Sequence, residues 1–296
     1  MKTLLTGATG LTGELLLRKM ADFHPGLEVS CLVRPSSNCK FVDSLDLNVT
    51  YYQGDSTCSN TWDMIFSRET FTTLIHLVQL RQVPTIIHSL RKSGQTPRLI
   101  IIGTTGVYSK YNQYSIEYKH AEETLSHYDG SYCLLRPTMI YGSPKDKNLH
   151  KLIKFCHQYQ FFPVFGKGNN LLQPVHTGDL AQALFTAWQS PHIQGSYDLS
   201  GETVITFRDL LKLISNLINK PIYQLSLPLT WGITLATVLE KVLKSKSPVR
   251  REQILRLQED KAYSHIAASQ DFGFMPRSLK TGLIEEISLM RDQGVI

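Results

Sequence analysis

The stretch Lys2-Thr3-Leu4-Leu5-Thr6-Gly7-Ala8-Thr9-Gly10-Leu11-Thr12-Gly13 sets three glycines three residues apart, after a short apolar run and before Glu14-Leu15-Leu16-Leu17. That pattern predicts a buried strand, a tight turn and a helix. The chain turns sharply at Gly7, Gly10 lets bare backbone N–H groups approach a pyrophosphate, and Gly13 lets the helix pack closely on the sheet. The unpaired amides of the first helical turn and the positive end of its dipole bind phosphate without any basic side chain. Gly7, Thr9, Gly10, Leu11, Thr12 and Gly13 are therefore the residues expected to hold a dinucleotide, the alternative being a glycine-rich turn with no ligand.

Beyond the turn, short β-rich runs at Glu28–Val33, Val49–Gln53, Thr73–Leu77, Arg98–Gly103 and Tyr132–Arg136 alternate with helical patterns. Repeated strand and helix units demand a parallel, doubly wound sheet with right-handed crossovers. The expected fold is thus an α/β Rossmann domain, with a smaller C-terminal substrate lobe where the alternation loosens after Tyr141-Gly142-Ser143-Pro144. Residues 1–144 with about 171–200 are assigned to the dinucleotide domain, and about 145–170 with 201–296 to the lobe. Within the lobe, helices are expected over Thr206–Asn219 and Thr230–Lys244. The later one carries Trp231, Ile233, Leu235, Val238, Leu239, Val242 and Leu243, apolar enough for core or dimer packing, or for a membrane-surface or partner-binding element.

The 296 residues are 42% apolar and 9% aromatic, enough for a sizeable core, and carry a formal charge of +6. Lys241, Lys244, Lys246, Arg250, Arg251 and Arg256 meet only Glu252 along one stretch, which reads as a solvated helical face or as a patch for an anionic ligand. The stretch lacks the aromatic interleaving of a nucleic-acid-binding module, so no nucleic-acid partner is expected. Cys31, Cys39, Cys58, Cys133 and Cys156 form no CxxC pair, predict no metal site, and read as reduced thiols in a cytoplasmic protein. No apolar run reaches the roughly 18 residues of a membrane span.

Six segments in order carry a resemblance that runs nearly end to end. They are Thr6 to Gly13, Gly54-Asp55, Leu74-Ile75-His76-Leu77, Thr104-Thr105-Gly106-Val107-Tyr108, Leu135-Arg136-Pro137-Thr138-Met139-Ile140-Tyr141-Gly142, and Val175-His176-Thr177-Gly178-Asp179-Leu180-Ala181. In this the chain resembles an extended or atypical member of the short-chain dehydrogenase/reductase superfamily, close to its epimerase/dehydratase branch. The resemblance implies that Asp55 approaches the adenine, that His76 and Leu77 run beneath the pyrophosphate and nicotinamide ribose, and that Pro137 lines the nicotinamide. At the end of the second strand, where an acidic residue would select NAD, Val33 is followed by Arg34. An arginine there clamps a 2′-phosphate, so NADP(H) is expected, with NAD possible and with Ser36, Ser37 or Lys40 assisting. Arg34 as an ordinary surface charge is the alternative.

The resemblance also implies a hydroxyl at Thr104, a tyrosine acid or base at Tyr114, and a lysine four residues later, because a tyrosine of ordinary pKa near 10 needs an adjacent cation. Tyr118 holds the lysine position and Lys119 follows one place late, about 100° around the helix. Thr104, Tyr114 and Lys119 are the expected catalytic set, with Tyr108 and Tyr111 as substitutes for the base. Relatives commonly place an arginine four residues before His176 to pair with a nucleotide diphosphate; this chain has Leu172, leaving Arg250 and Arg251, with Tyr108, as the expected substrate contacts. His176 and Asp179 read as structural ties. The function implied is an NADP(H)-dependent oxidoreductase or epimerase/dehydratase acting on a small polar, sugar or nucleotide-sugar substrate. The alternative is a dinucleotide-binding redox sensor or assembly factor without turnover. A homodimer through helices flanking the active site is the oligomer that the resemblance suggests.

Overall fold

The computed structural model describes residues 2–143, 146, 148–243 and 250–296; Lys244, Lys246 and Pro144, which figured in the sequence reading, lie outside them. The strands are β1 (Thr3–Thr6), β2 (Leu27–Val33), β3 (Leu47–Gln53), β4 (Thr73–His76), β5 (Arg98–Ile102), β6 (Tyr132–Pro137), β7 (Ile140–Tyr141), β8 (Phe161–Phe165), β9 (Leu171–Leu172), β10 (Val175–His176), β11 (Gly195–Leu199), β12 (Ile205–Thr206) and β13 (Tyr223–Leu227). Between them lie helices α1 (Leu11–Phe23), α2 (Lys40–Asp43), α3 (Ser59–Arg68), α4 (Val83–Ser93), α5 (Ser115–Ser126), α6 (Leu149–Tyr159), α7 (Thr177–Gln189), α8 (Phe207–Ile218), α9 (Leu229–Leu243), α10 (Arg251–Arg256), α11 (Ile266–Phe272) and α12 (Leu279–Asp292).

Seven strands form one parallel sheet in the order β11-β6-β5-β4-β1-β2-β3. The order reverses at β1 and β4, the switch point at which an open α/β sheet leaves a crevice beyond its strand carboxyl ends. Every residue of β1, β4 and β5 is buried, which is why these strands read as apolar runs with no alternation. On one face, Leu16, Leu17 and Met20 of α1 meet Leu184 and Trp188 of α7 over Val29 and Cys31. Their spacing in α1 continues from buried Gly13 to Ala21 at intervals of three and four, the stripe of an amphipathic helix. On the other face Trp62, Ile65 and Phe66 of α3 pack with Ile86, Ile87 and Leu90 of α4. Each such aliphatic or aromatic side chain contributes about 1.5–3 kcal/mol by leaving water.

The second lobe has its own core, in which Leu149, Ile153 and Cys156 of α6 meet Leu210, Leu211 and Ile214 of α8 and Leu283 and Ile287 of α12. The parallel pair β8 and β13 supports it. Helix α9 splits its apolar residues between two faces. Gly232, Ala236 and Leu239 turn inward over a cavity, while Trp231, Val238 and Val242 stand exposed, so inward packing accounts for only part of its apolar content.

Polar bonds, one local and one long-range, fix the start of α7. His176 caps α7, its Nδ1 accepting from Gly178 N at 3.1 Å, and Asp179 takes Arg277 N on Oδ2 and Arg277 Nε on Oδ1, both at 2.9 Å. These are the structural roles expected of His176 and Asp179, and the partner, Arg277, sits just before α12. Arg98, at the start of β5, donates to the carbonyls of Ala187, Ser190 and Ile193 at 2.5, 3.1 and 2.6 Å and anchors the end of α7. No helix among the described residues is long and apolar enough to cross a membrane, and no group of three or more metal-ligating side chains occurs among them.

His76, at the end of β4, is fully buried. Its Nε2 faces Gln79 O at 3.2 Å and so must donate, which leaves Nδ1 to accept from the Thr6 hydroxyl at 2.8 Å. Burial disfavours the imidazolium and pushes the pKa down to about 4, from 6.5.

Two expectations follow. Replacing Arg277 with Met leaves the largely buried Asp179 carboxylate without its fork and lowers the unfolding free energy by about 2 kcal/mol in urea melts. Below pH 6.5 an unfolded His76 takes up a proton that the folded protein refuses until about pH 4. Its contribution is therefore intact above pH 6.5 and declines by up to about 3 kcal/mol as the pH falls through that window. Urea titrations at intervals from pH 7 to 4 should show the wild type losing stability relative to His76→Gln by that amount.

Candidate functional site

The loop after β1 is built around contacts that exclude side chains. Gly7 has φ +79°, and Gly10 N donates to Gly7 O at 3.0 Å to close the turn. A Cβ on Gly13 would lie 2.1 Å from Gly7 O, so only glycine lets α1 start this close to the strand. Gly10 is the N-cap of α1 and supplies no side-chain cap, so the first-turn N–H groups are left for a ligand. The cradle fits the pyrophosphate of a dinucleotide.

A cavity of about 630 Å³ spreads from this turn. Thr6, Gly7, Thr9 and Gly10 border one part, and Arg34, Ser37 and Asp55 another. The last three follow the carboxyl ends of β2 and β3, held together by Gly54 N donating to Val33 O at 3.0 Å. The exposed Arg34 side chain shares this rim with Ser37, whose Oγ accepts from Arg34 N at 3.2 Å. Ser36 and Lys40 do not border the cavity. Asp55 Oδ1 accepts from Thr57 N and Oγ1, both at 2.8 Å. These bonds, first that from the backbone, hold its carboxyl below the usual range. Leu77 lines the cavity; His76, occupied by Thr6 and Gln79, lies beneath it and corrects the expectation of a cofactor contact there.

Leu77 and Val78 also border a second cavity of about 550 Å³, reached past Thr12 and Pro137, with Thr104 on its wall. The Thr104 Oγ1 accepts from Gly106 N at 3.0 Å and keeps its proton to donate. Thr104 borders a further small hollow of about 240 Å³ in which Tyr114, Tyr118 and Arg81 gather. Tyr114 is the N-cap of α5, and the Arg81 guanidinium lies 4.5 Å from the centre of its ring. Burial raises the Tyr118 phenol pKa against the opposing pull of Arg81 and Arg256. Lys119 is exposed and borders none of these spaces. The structure brings Thr104 and Tyr114 together and leaves Lys119 outside, because a residue one place late on α5 points about 100° away. The cation facing Tyr114 is Arg81, which the sequence reading did not single out.

The substrate-side contacts also differ from expectation. Arg250 and Arg251 are exposed at the start of α10 and border neither of these cavities, whereas Arg256, Glu259, Lys261 and Tyr263 line the second one. The segment is carried inward by a bridge to β9, through Lys261 N to Leu171 O at 2.7 Å, and by the Gln173 side chain beyond it, whose Oε1 accepts from Tyr263 N at 2.9 Å. Glu259 accepts from Ser109 Oγ at 2.6 Å and from Lys110 N at 2.7 Å, tying it to the loop after Thr104. Burial, reinforced by Arg256, pushes the Lys261 ammonium down to about 8, against the pull of Glu259. Tyr108 stands beside the cavity, stacked on Tyr263 at 5.2 Å and donating to Asp198. Arg136 makes a two-pronged bond to Glu122 at 2.7 and 2.8 Å and reaches Asp198 at 3.6 Å, fixing the edge where β6, β11 and α5 meet. Of Arg256, Glu259, Lys261 and Tyr263, only Arg256 carried a signal in the sequence, as part of the basic stretch.

The fold matches solved structures over nearly its whole length. UDP-glucose 4-epimerase from Thermotoga maritima, solved with UDP-glucose, superposes with a TM-score of 0.72 at 17% identity, covering 99% of each chain. dTDP-glucose 4,6-dehydratase from Bacillus anthracis, solved with NAD, gives 0.73 at 14% identity, covering 100% of each. In sequence, the chain is 27% identical over 184 residues to the Arabidopsis thaliana protein NADH dehydrogenase [ubiquinone] 1 alpha subcomplex subunit 9, mitochondrial. That match takes in 59% of this chain and 46% of the relative, so it spans about half of the relative's length. A family model described as the NAD dependent epimerase/dehydratase family covers residues 3–199, from β1 through β11. The chain belongs to the NAD dependent epimerase/dehydratase family.

Proposed function

We propose that the protein is an NADP(H)-dependent oxidoreductase or epimerase that acts on a hydroxyl or carbonyl compound held beside Thr104. The observation that carries this reading is the continuity of the glycine cradle, with its uncapped helix N-terminus, with the cavity onto which Thr104 opens. Leu77 and Val78 form the shared wall. Bound there, NADP would supply a hydride acceptor at the nicotinamide carbon and NADPH a donor.

Gly7, Gly10 and Gly13 bind the pyrophosphate, and Arg34 with Ser37 takes the 2′-phosphate of the adenosine ribose. An acidic side chain at position 34 would repel that phosphate; a guanidinium attracts it. At the other end, Thr104 donates a hydrogen bond to the substrate oxygen, and Tyr114 exchanges the hydroxyl proton across the hollow they share. When an alcohol is oxidised, its carbon gives up a hydride and its oxygen a proton, and a carbonyl and reduced cofactor result; an epimerase returns the hydride to the other face with no net redox change. Asn148, Glu259 and Lys261 supply polar contacts for further oxygen functions of a polar or sugar-like substrate.

A second reading, a dinucleotide-binding subunit or sensor without turnover, is favoured by the exposure of Lys119, which leaves Tyr114 without the lysine that the superfamily uses. The name of the Arabidopsis relative, a subunit of an NADH dehydrogenase, is in keeping with it.

Fluorescence titration with NADPH and NADH separates these readings. The wild type should prefer NADPH, and Arg34→Ala should weaken NADPH by roughly 10–100-fold while sparing NADH, the loss of one charge-assisted contact. Gly13→Val should abolish binding of both. If neither dinucleotide binds the wild type, the proposal fails. Given binding, Tyr114→Phe should lower turnover of a carbonyl substrate by roughly 10²–10⁴ with dinucleotide affinity unchanged; turnover indifferent to Tyr114 would favour the second reading.

A further inference from the structure

Beyond the cavity at Thr104 lies a third space of about 480 Å³, lined by α6, β8, α8, α9 and α10. Its walls are hydrocarbon: Leu149 and Phe155 from α6, Phe162 from β8, Leu210 from α8, Leu239 from α9 and Ile254 from α10. Met139, Asn148, Gln253 and Lys261 border both this space and the one at Thr104, so the two adjoin.

Water fits such a chamber poorly, since a buried water needs two to four polar partners and apolar cavities stay dry. The volume lies within the roughly 300–1,000 Å³ of small-molecule sites, which are mostly apolar with a few placed polar groups. Here those groups gather toward the junction. The Lys261 ammonium makes no hydrogen bond or ion pair among the described residues, and Asn170 Nδ2, which borders the chamber, is buried without a partner. Both are donors waiting for an acceptor.

Leu172 adds an independent observation. It occupies the position where the resemblance would lead one to look for an arginine facing a nucleotide diphosphate, and its buried side chain lines the chamber instead. A diphosphate placed here would bring its charge against leucine and phenylalanine, a costly desolvation with no fork to offset it. A hydrocarbon chain gains about 0.8 kcal/mol for each methylene it buries.

We propose that the substrate carries an apolar tail, an acyl or isoprenoid chain, which fills the chamber under α9 while its oxygen-bearing head rests at Lys261 and extends toward Thr104. The assignment rests on the oxidoreductase reading for the word substrate; the chamber itself is tested without turnover. Helix α9 forms one wall and reaches the lobe core through small residues: Gly232 sits against Phe165, where a Cβ would lie 2.7 Å from the ring, and Ala236 is buried on the chamber.

The test uses the full chain and cis-parinaric acid, whose fluorescence rises in an apolar site. The wild type should bind it saturably with one site. Ala236→Phe, which fills the chamber, and Leu172→Arg, which charges it, should each weaken binding at least tenfold, while thermal melting and NADPH titration of the same variants show that the Rossmann domain is intact. Val238→Ser, on the outer face of α9, should leave the probe bound and so excludes adsorption to the exposed apolar surface. Displacement by dodecanol marks a straight chain and by farnesol a branched one; either supports the chamber. Absence of saturable binding, binding unchanged in both chamber variants, loss of binding in Val238→Ser alone, or displacement by UDP-glucose in preference to both alcohols overturns the proposal. NADPH binding without probe binding sinks the tail and leaves the cofactor reading standing; probe binding without NADPH binding supports the chamber and sinks the cofactor reading.

Discussion

The rest of the structure depends on the approach of α1 to the turn after β1. A Cβ at Gly13 would lie 2.1 Å from Gly7 O, inside any tolerable contact. Because that hydrogen-only surface is present, α1 begins almost on top of the strand, its stripe from Leu16 to Ala21 seats on the sheet, and its amino end faces the crevice. A helix displaced by even a methyl group would take its free amides out of reach of a ligand at the carboxyl edge of β1 and β4. The same constraint explains why the phosphate end of the site needs no cation: backbone donors and the helix dipole supply the attraction at short range.

From that end the cleft changes character in steps. Near Arg34 it is open and charged, at Thr104 it mixes hydroxyl, carboxylate and ammonium groups, and beneath α9 it is hydrocarbon. The change follows from topology. Loops after β1, β2 and β3 are short, polar and solvent-facing, whereas the far end is roofed by helices that must bury their own apolar stripes. Where α6, α8 and α9 meet without filling the volume between them, the lobe leaves a space with the polarity of its core.

How much of this could be read in the chain depends on how local each signal is. The glycine turn and the strands of the central sheet were legible because strand, turn and helix are decided within about twenty residues and the central strands are buried on both faces. Thr104 was legible through its place in a motif. The register of α5 was legible in part: Tyr118 stands at the lysine position and Lys119 one place late, yet Lys119 was expected in the catalytic set and lies outside it, and Arg81, which meets Tyr114 across the gap between two separate elements, left no local signal. Likewise the basic stretch announced positive charge near residue 250, but which arginine faces the site is decided by pairing to β9, which draws in Arg256 and Lys261 and leaves Arg250 and Arg251 in solvent. Side-chain contacts 98 residues apart, such as Arg277 with Asp179, leave no periodic trace.

Leu172 shows how one such long-range contact binds fold to specificity. It pairs through β9 with Ile205 of β12 and bridges to Lys261, so its backbone is fixed from two sides while its side chain borders the apolar chamber. An arginine at this place would present its charge to Phe162 and Leu210 and stand near Lys261, whose ammonium already feels the charge of Arg256. Desolvation and like-charge repulsion would then act together against it. With leucine here, the adjacent ammonium of Lys261 keeps the junction polar while the chamber beyond stays apolar. The polarity of the cavity beyond Thr104 is therefore set by the lobe and its pairing with β9, independently of the glycine turn.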